Sequence, residues 1–271
     1  MITSPIFNEK GEVRASVHVT RDITERKWAE KKAREVEALK ELDRLRSGLL
    51  ANVSHELRTP LTSIKGFATT LLRSDVSWSE EEQRDFLQSI DQETERLIRL
   101  ISDLLDMSRI EAGGLKLEKR NYQISEILDS VSTRLASLAE HHQLQVIVPS
   151  RLPSVFVDQM RIGQVLTNLV ENATKYSGEG SEITIEAHLT GDQINVSVAD
   201  RGQGIASELL DRVFDRFYQA ESIVTGRKSG TGLGLSICRG IIESHSGKIW
   251  VESKLGEGSK FSFSLPVGKG E

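Results

Sequence analysis

Cysteine occurs once, at Cys238, so no internal disulfide can form and the chain suits a reducing compartment. No apolar run approaches the roughly 18–20 residues that a membrane helix requires. The opening residues, MITSPIFNEKGEV, lack the basic and then apolar order of a signal peptide. A basic field is missing as well: the formal net charge is -5, which argues against a non-specific nucleic-acid binder. Neither an internal repeat nor a low-complexity tract is present. Hydrophobic content of 38% and charged content of 28% are near globular averages, which excludes disorder throughout. A soluble, cytoplasmic segment of one large domain or two ordinary ones is expected, without membrane contact of its own.

What is present changes texture along the chain. Residues 1–20 read as a hairpin, with turn material at 8–11 and then alternation of Val13, Ala15, Val17 and Val19 against Arg14, Ser16, His18 and Thr20. A lone hairpin is marginal in water, so these strands are expected to derive from a larger sheet. Residues 25–73 carry an apolar stripe at steps of three and four: Val36, Leu39, Leu42, Leu45, Leu49, Val53, Leu57, Leu61 and Ile64. This predicts a coiled coil flowing into a bundle. After a polar break at 74–79, Ser79 and Glu82 can form a capping box for a second helix ended by Gly113 and Gly114. Two amphipathic helices joined by a short turn cannot bury both stripes alone, and a dimer of four helices solves this. Beyond residue 115, strands are predicted near 115–118, 144–148, 155–157, 182–189, 193–199, 248–254 and 260–265. Helices are predicted near 124–140, 159–176 and 234–246, an α+β pattern.

Three motifs in this second part carry chemistry. In VLTNLVENATKYS, Asn168, Asn172 and Lys175 fall at i, i+4 and i+7 of one helix, along the margin of its apolar face. Amide oxygens suit a hard cation and an amine suits phosphate; a solvated helix face would read the same way. In INVSVADRGQGI, period two places Asp200 on the inward face with Ile194, Val196 and Val198. A buried carboxylate needs a donor, which a purine amine can supply where Gly202 and Gly204 admit the base; a turn aspartate is the plainer alternative. SGTGLGLS, residues 229–236, sets Gly230, Gly232 and Gly234 before a helix, where backbone amides can cradle phosphate. It is neither a Walker A loop nor GxGxxG, and by itself reads equally as a flexible turn. The preceding polar residues 220–229 suggest a lid.

Taken in order, the Asn-x-x-x-Asn helix, Asp-x-Gly-x-Gly strand end, VFDRFYQ, GTGLGL and GEGSKF resemble the catalytic domain of sensor histidine kinases. That domain belongs to the wider ATPase superfamily of gyrase, Hsp90 and MutL. The resemblance covers essentially all of 115–266 and implies a Bergerat-type α/β sandwich that binds Mg-ATP. It implies that Asn172 ligates magnesium, that Asn168 lies near the phosphates and that Lys175 contacts them. Tyr176 and Ile205 would line the adenine pocket, with Asp200 bonding the adenine amine beside Gly202 and Gly204. Phe214 and Phe217 would anchor the lid base, and the loop Gly230, Thr231, Gly232, Leu233, Gly234 and Leu235 would wrap the triphosphate. Gly256 and Gly258 would close a turn beneath. Many relatives have an arginine where this chain has Gln219. Where the hydrolysing cousins use a glutamate to activate water, this chain has Asn168, and an amide is no general base at neutral pH.

A nucleophile for the phosphoryl group is then sought. His55 lies about 200° and 160° around the first helix from Val53 and Leu57, hence toward solvent. A lone exposed histidine is usually an ordinary surface residue, but SHELRTPL resembles the H-box of histidine kinases with the HisKA-type helical hairpin. That resemblance implies attack by His55 on the γ-phosphate, Glu56 as proton acceptor or orienter, and transfer to an aspartate of a response regulator. It also implies that Thr59 positions water for a reverse phosphatase activity. Pro60 removes one helical hydrogen bond and can bend the helix just past His55. The opening hairpin followed by Asp22 to Arg26 resembles the end of a PAS sensor domain and its exit into a signalling helix. The expected division is a PAS remnant at 1–24, a signalling coiled coil at 25–48, a dimerisation and phosphotransfer hairpin at 49–113 and a catalytic domain at 115–268. Full-length relatives are often membrane anchored upstream.

Overall fold

The computed structural model describes residues 2–7, 10–11, 13–19, 24–218 and 232–268. The chain divides into two compact units, Met1–His55 and Glu56–Glu271. In the first, β1 (Ile2–Phe7) and β2 (Val13–Val19) form the antiparallel hairpin that the alternation predicts, with Ile2 opposite Val19 and Ile6 opposite Ala15. Gly11 takes φ +77 in the connection, where a Cβ would be strained. Helix α1 (Thr24–Leu71) follows, with Pro60 inside it. The side chains of Leu39, Leu42, Leu45 and Leu49, on which the coiled-coil expectation rests, lie outside the described residues.

In the second unit the end of α1 meets α2 (Glu80–Glu111) as a helical hairpin. Ser79 caps α2: its Oγ accepts from the Glu82 amide at 3.2 Å, while Glu82 accepts from the Ser79 amide at 2.8 Å. Glu80, Glu81 and Glu82 lie in the first turn, where the helix dipole favours anions. Phe86 closes the turn, its ring centroid 5.9 Å from Phe67 of α1 and 5.2 Å, edge-on, from Trp78. Leu61, expected on the buried stripe, is instead 58% exposed, as are Leu87, Ile98, Ile101 and Leu105 to similar degrees. In a single hairpin these apolar faces are the surplus that a second hairpin covers in a four-helix bundle.

The rest of this unit is an α/β sandwich. Its five-stranded sheet runs β4 (Gln143–Ile147), β6 (Glu182–Thr190), β7 (Gln193–Asp200), β9 (Gly258–Pro266) and β8 (Ile249–Lys254), with only β4 and β6 parallel. Helices α3 (Ile124–Leu138), α4 (Gln159–Tyr176) and α5 (Gly234–Ser244) meet its apolar face through a core that includes Ile162, Leu166, Ile185, Ile194, Ile241 and Phe263. All six are at most 1% exposed, and burial of such side chains is worth about 1.5–3 kcal/mol each before cavity effects. The predicted strand at 115–118 is not one. The strand is β3 (Arg120–Tyr122), which pairs with β5 (Val155–Val157), whereas 115–118 has no ladder partner. Its backbone is met by a side chain: the Glu118 amide donates to Asp158 Oδ2 at 3.0 Å.

One buried histidine ties these layers together. His245, 2% exposed, follows α5; its Nε2 accepts from the Asp158 amide at 3.0 Å and its Nδ1 lies 2.8 Å from the Ile241 carbonyl. Accepting at Nε2 requires the Nδ1–H tautomer, and burial holds the imidazole pKa below its ordinary value. The depressed folded-state pKa means stability is full above about pH 6.5 and is lost as the pH falls through the folded pKa. Chemical denaturation between pH 7.5 and 5 should therefore show falling stability, and the His245→Gln protein should lose the part of that slope due to this group; an unchanged slope refutes the assignment.

Candidate functional site

Helix α4 begins at Asp158, whose Oδ1 accepts from the Arg161 amide at 3.2 Å. Ile162, Val165, Leu166, Leu169 and Val170 enter the core at 0–1% exposure. The opposite margin is half-buried and carries Asn168, Asn172 and Lys175, which line a cleft of about 1540 Å³. Lys175 Nζ lies 4.8 Å from the ring centroid of Tyr176, a cation–π contact at the cleft wall. Burial lowers the Lys175 pKa; Glu171 opposes the shift and the charge of Arg96 adds to it. Burial also raises the Tyr176 phenol.

Asp200 ends β7 across the cleft and is 8% exposed. Its Oδ1 accepts from the Gly202 amide at 2.8 Å. Burial raises its carboxyl pKa, and the amides of Gly202 and Ser259 pull the other way. The loop that follows lies against its neighbours with no room for side chains. A Cβ on Gly202 would sit 2.2 Å from the Tyr176 carbonyl oxygen, and one on Gly204, at φ +68, 2.0 Å from that of Lys254. Ser253 fastens the loop to the sheet: its hydroxyl accepts from the Ile205 amide at 2.8 Å and donates to the Gly258 carbonyl at 2.7 Å. A carboxylate acceptor at the edge of a cleft that Ile205, Leu209 and Val213 also line is suited to an N–H-bearing ring.

Of the residues singled out from the sequence, Asn168, Asn172, Lys175, Tyr176, Asp200, Gly204, Ile205, Gly232, Gly234 and Leu235 line this one cleft. Gly202, Phe217 and Leu233 do not. Gly202 packs behind Asp200, and Leu233, immediately before α5, is fully buried in the core. Phe217 holds φ +58 and its amide donates to the Gly232 carbonyl at 2.8 Å, so the two segments flanking 219–231 are joined there. Gly230, Thr231, Gln219 and the lid expected at 220–229 lie outside the described residues. Phe214 is buried edge-on to Phe261, with the Arg239 guanidinium over its ring. On α1, His55 and Thr59 are exposed and Glu56 is half-buried, its carboxylate 3.7 Å from Arg96.

The wall contributed by α2 was not foreseen. Arg96, Arg99, Ser102, Asp103 and Asp106 line the cleft from that side. The buried Asp106 accepts from Arg161 at 2.8 Å and from Gln164 at 2.9 Å, and Ile110 packs against Gly240, where a Cβ would lie 2.5 Å away. Glu111 pairs with Arg216. Asp106, a carboxylate set between Leu105 and Met107 near the end of the helix, is the one sequence feature that could have pointed there.

This combination defines a helical hairpin joined to an α/β sandwich with a cleft between them, and comparison with known proteins places the chain more narrowly. Residues 45–113 match the family described as His Kinase A (phospho-acceptor) domain, and residues 157–269 match histidine kinase-, DNA gyrase B-, and HSP90-like ATPase. The alginate biosynthesis sensor protein KinB of Pseudomonas aeruginosa is 35% identical over 266 residues, 97% of this chain and 42% of that protein. Histidine kinase ThkA, solved in complex with response regulator protein TrrA, superposes with a TM-score of 0.62 at 28% identity, over 98% of this chain and 74% of that one. Full-length ShkA in complex with AMPPNP gives 0.62 at 28% identity, over 82% of this chain and 46% of that one. The chain belongs to the sensor histidine kinase family. It spans less than half the length of the curated relatives it matches. Among the described residues, no helix is long and apolar enough to cross a membrane.

Cys238 lies beneath this site at 0% exposure, its Sγ 3.8 Å from the Asn168 amide nitrogen. Burial pushes its thiol up to about 12, so almost no thiolate forms near neutral pH. Iodoacetamide at pH 8 should leave the native protein unmodified and alkylate one thiol per chain in urea; rapid native alkylation contradicts the burial.

Proposed function

We propose that the chain is the transmitter core of a sensor histidine kinase: it binds Mg-ATP, phosphorylates His55 and passes the phosphoryl group to an aspartate of a separate response regulator. The observation that carries this reading is the cleft itself, which gathers the buried Asp200 acceptor and the Asn168, Asn172 and Lys175 stripe within one wall-to-wall space. The two complexes described above, one with a nucleotide analogue and one with a response regulator, support the same ligand and partner here.

In this reading Asp200 accepts the exocyclic N–H of adenine, with Gly204 and Ile205 against the base and Tyr176 beside it. Lys175 and the backbone around Gly232, Gly234 and Leu235 at the start of α5 face the phosphates. Magnesium, which shields phosphate charge when bound, keeps most of its ligands as water and phosphate oxygen, and the neutral carboxamide oxygen of Asn172 fits as its protein ligand. Asn168 cannot take a proton from water, which leaves the phosphoryl group for a stronger nucleophile.

His55 supplies it. The unprotonated ring nitrogen forms a bond to the γ-phosphorus as the bond to the β,γ-bridging oxygen breaks and ADP leaves; the proton on the other ring nitrogen passes to Glu56. Thr59, one turn further on, positions water for removal of phosphate from the regulator. The hairpin at 49–113 dimerises through the exposed face of Leu61, Leu87, Ile98, Ile101 and Leu105. Residues 115–268 form the catalytic domain, 25–48 a signalling coiled coil, and 1–24 the last strands of a PAS domain, which the β1–β2 pairing supports.

Incubation with γ-labelled ATP and magnesium should give acid-labile, alkali-stable label on the intact protein and none on His55→Ala or Asn172→Ala. Release of labelled phosphate without protein label would make the chain an ATP hydrolase, and no reaction at all would make it a silent dimeric scaffold.

A further inference from the structure

Arg96 belongs to the helical hairpin, yet it lines the same cleft as Asn172, Lys175 and Tyr176. Its guanidinium is held loosely. Nη2 lies 3.7 Å from Glu56 Oε2 and Nη1 lies 3.8 Å from Glu93 Oε2, both beyond hydrogen-bonding distance. The side chain is 41% exposed, so these pairs contribute little. Three other arginines line the cleft, and one of them, Arg161, is committed to Asp106 and Gln164. Arg216, next to Phe217, is engaged by Glu111. Arg96 is also the cation whose charge is felt at Lys175. Two cations facing one space repel, and an anion between them removes that cost.

We infer that Arg96 is a phosphate-binding residue of the cleft, exchanging the Glu56 carboxylate for the terminal phosphate of the bound nucleotide. The inference rests on the nucleotide reading above. A phosphate offers the planar guanidinium two parallel charge-assisted hydrogen bonds, where the carboxylate now offers a long ionic contact. Glu56 follows His55 in the chain. The exchange therefore takes the Arg96 contact off the carboxylate beside the nucleophile when a nucleotide with a γ-phosphate is present, and it links occupancy of the cleft to the surroundings of the base. ADP, one phosphate shorter, does not draw Arg96 away.

Calorimetric titration with AMPPNP and with ADP, each with magnesium, tests this on the whole chain. Arg96→Gln should weaken AMPPNP binding about tenfold and ADP binding by less than about twofold, the scale of one charge-assisted hydrogen bond. Arg96→Lys should restore part of the loss. Glu56→Gln, whatever it does to phosphorylation, should bind AMPPNP at least as tightly as the original chain. Equal effects of Arg96→Gln on the two nucleotides, or none, would overturn the inference, as would a Glu56→Gln protein that reproduces the Arg96→Gln loss, since the pair would then only brace the hairpin. Failure of the unmodified chain to bind either nucleotide would overturn the nucleotide reading and this inference with it.

Discussion

Asp200 sits at the last position of β7 with its carboxylate turned to the helical face of the sheet, and the surrounding backbone is arranged around that burial. The phase of the strand imposes it: Ile194, Val196 and Val198 are at most 1% exposed on the same face, opposite Leu265, Phe263 and Phe261 of β9. A slip of one residue would turn every one of these side chains outward, so the register that builds the core also places the carboxylate. Having been placed there, it needs donors. The Gly202 amide is one, and the glycine loop can supply it only because the chain passes within contact of the Tyr176 and Lys254 carbonyls. Gln203 in turn donates to Tyr176 at 3.1 Å, so the end of α4 and the end of β7 fix one another. The cleft is the space left between them.

On the proposed reading, chemistry at this cleft is decided by what its side chains are unable to do. An amide at 168, with a buried and largely un-ionised thiol behind it, offers no base for water. On that reading the reacting group comes from elsewhere in the chain, and His55 on an exposed helical surface is suited to that. The α2 helix then has two tasks. Its apolar face, exposed at Ile98, Ile101 and Leu105, serves a bundle, while its polar face closes the cleft through the Asp106, Arg161 and Gln164 network. A buried ion pair of this kind contributes little net stability, but loss of one partner would leave a buried charge uncompensated and loosen that wall.

Much of this was legible from residue pattern. Period two in β7 placed Asp200 inward, the Ser79 and Glu82 spacing marked the start of α2, and the bounds of α4 followed from Asp158 and the apolar spacing. Other features depend on long-range packing that local pattern does not encode. Residues 115–118 alternate like a strand, yet β5 pairs with 120–122, and alternation alone does not name a partner. Leu233 lies between Gly232 and Gly234, which line the cleft, but the start of α5 turns its side chain into the core. Leu61 has helical spacing appropriate to a buried stripe and is exposed because a single hairpin has one face too many. The α2 wall was missed because its cleft-facing residues, Arg96 to Asp106, look from sequence like the solvated side of an amphipathic helix.

The central claim is that the γ-phosphoryl group goes to His55 and not to water. A single turnover, with protein in excess over labelled ATP and no regulator present, measures this partition directly by separating phosphoprotein, remaining ATP and inorganic phosphate over time. The account predicts that ATP disappears in step with phosphohistidine mapped to His55, with inorganic phosphate appearing only as slow loss from that adduct. Inorganic phosphate released at the same rate by the intact protein and by a chain lacking the His55 imidazole would contradict it.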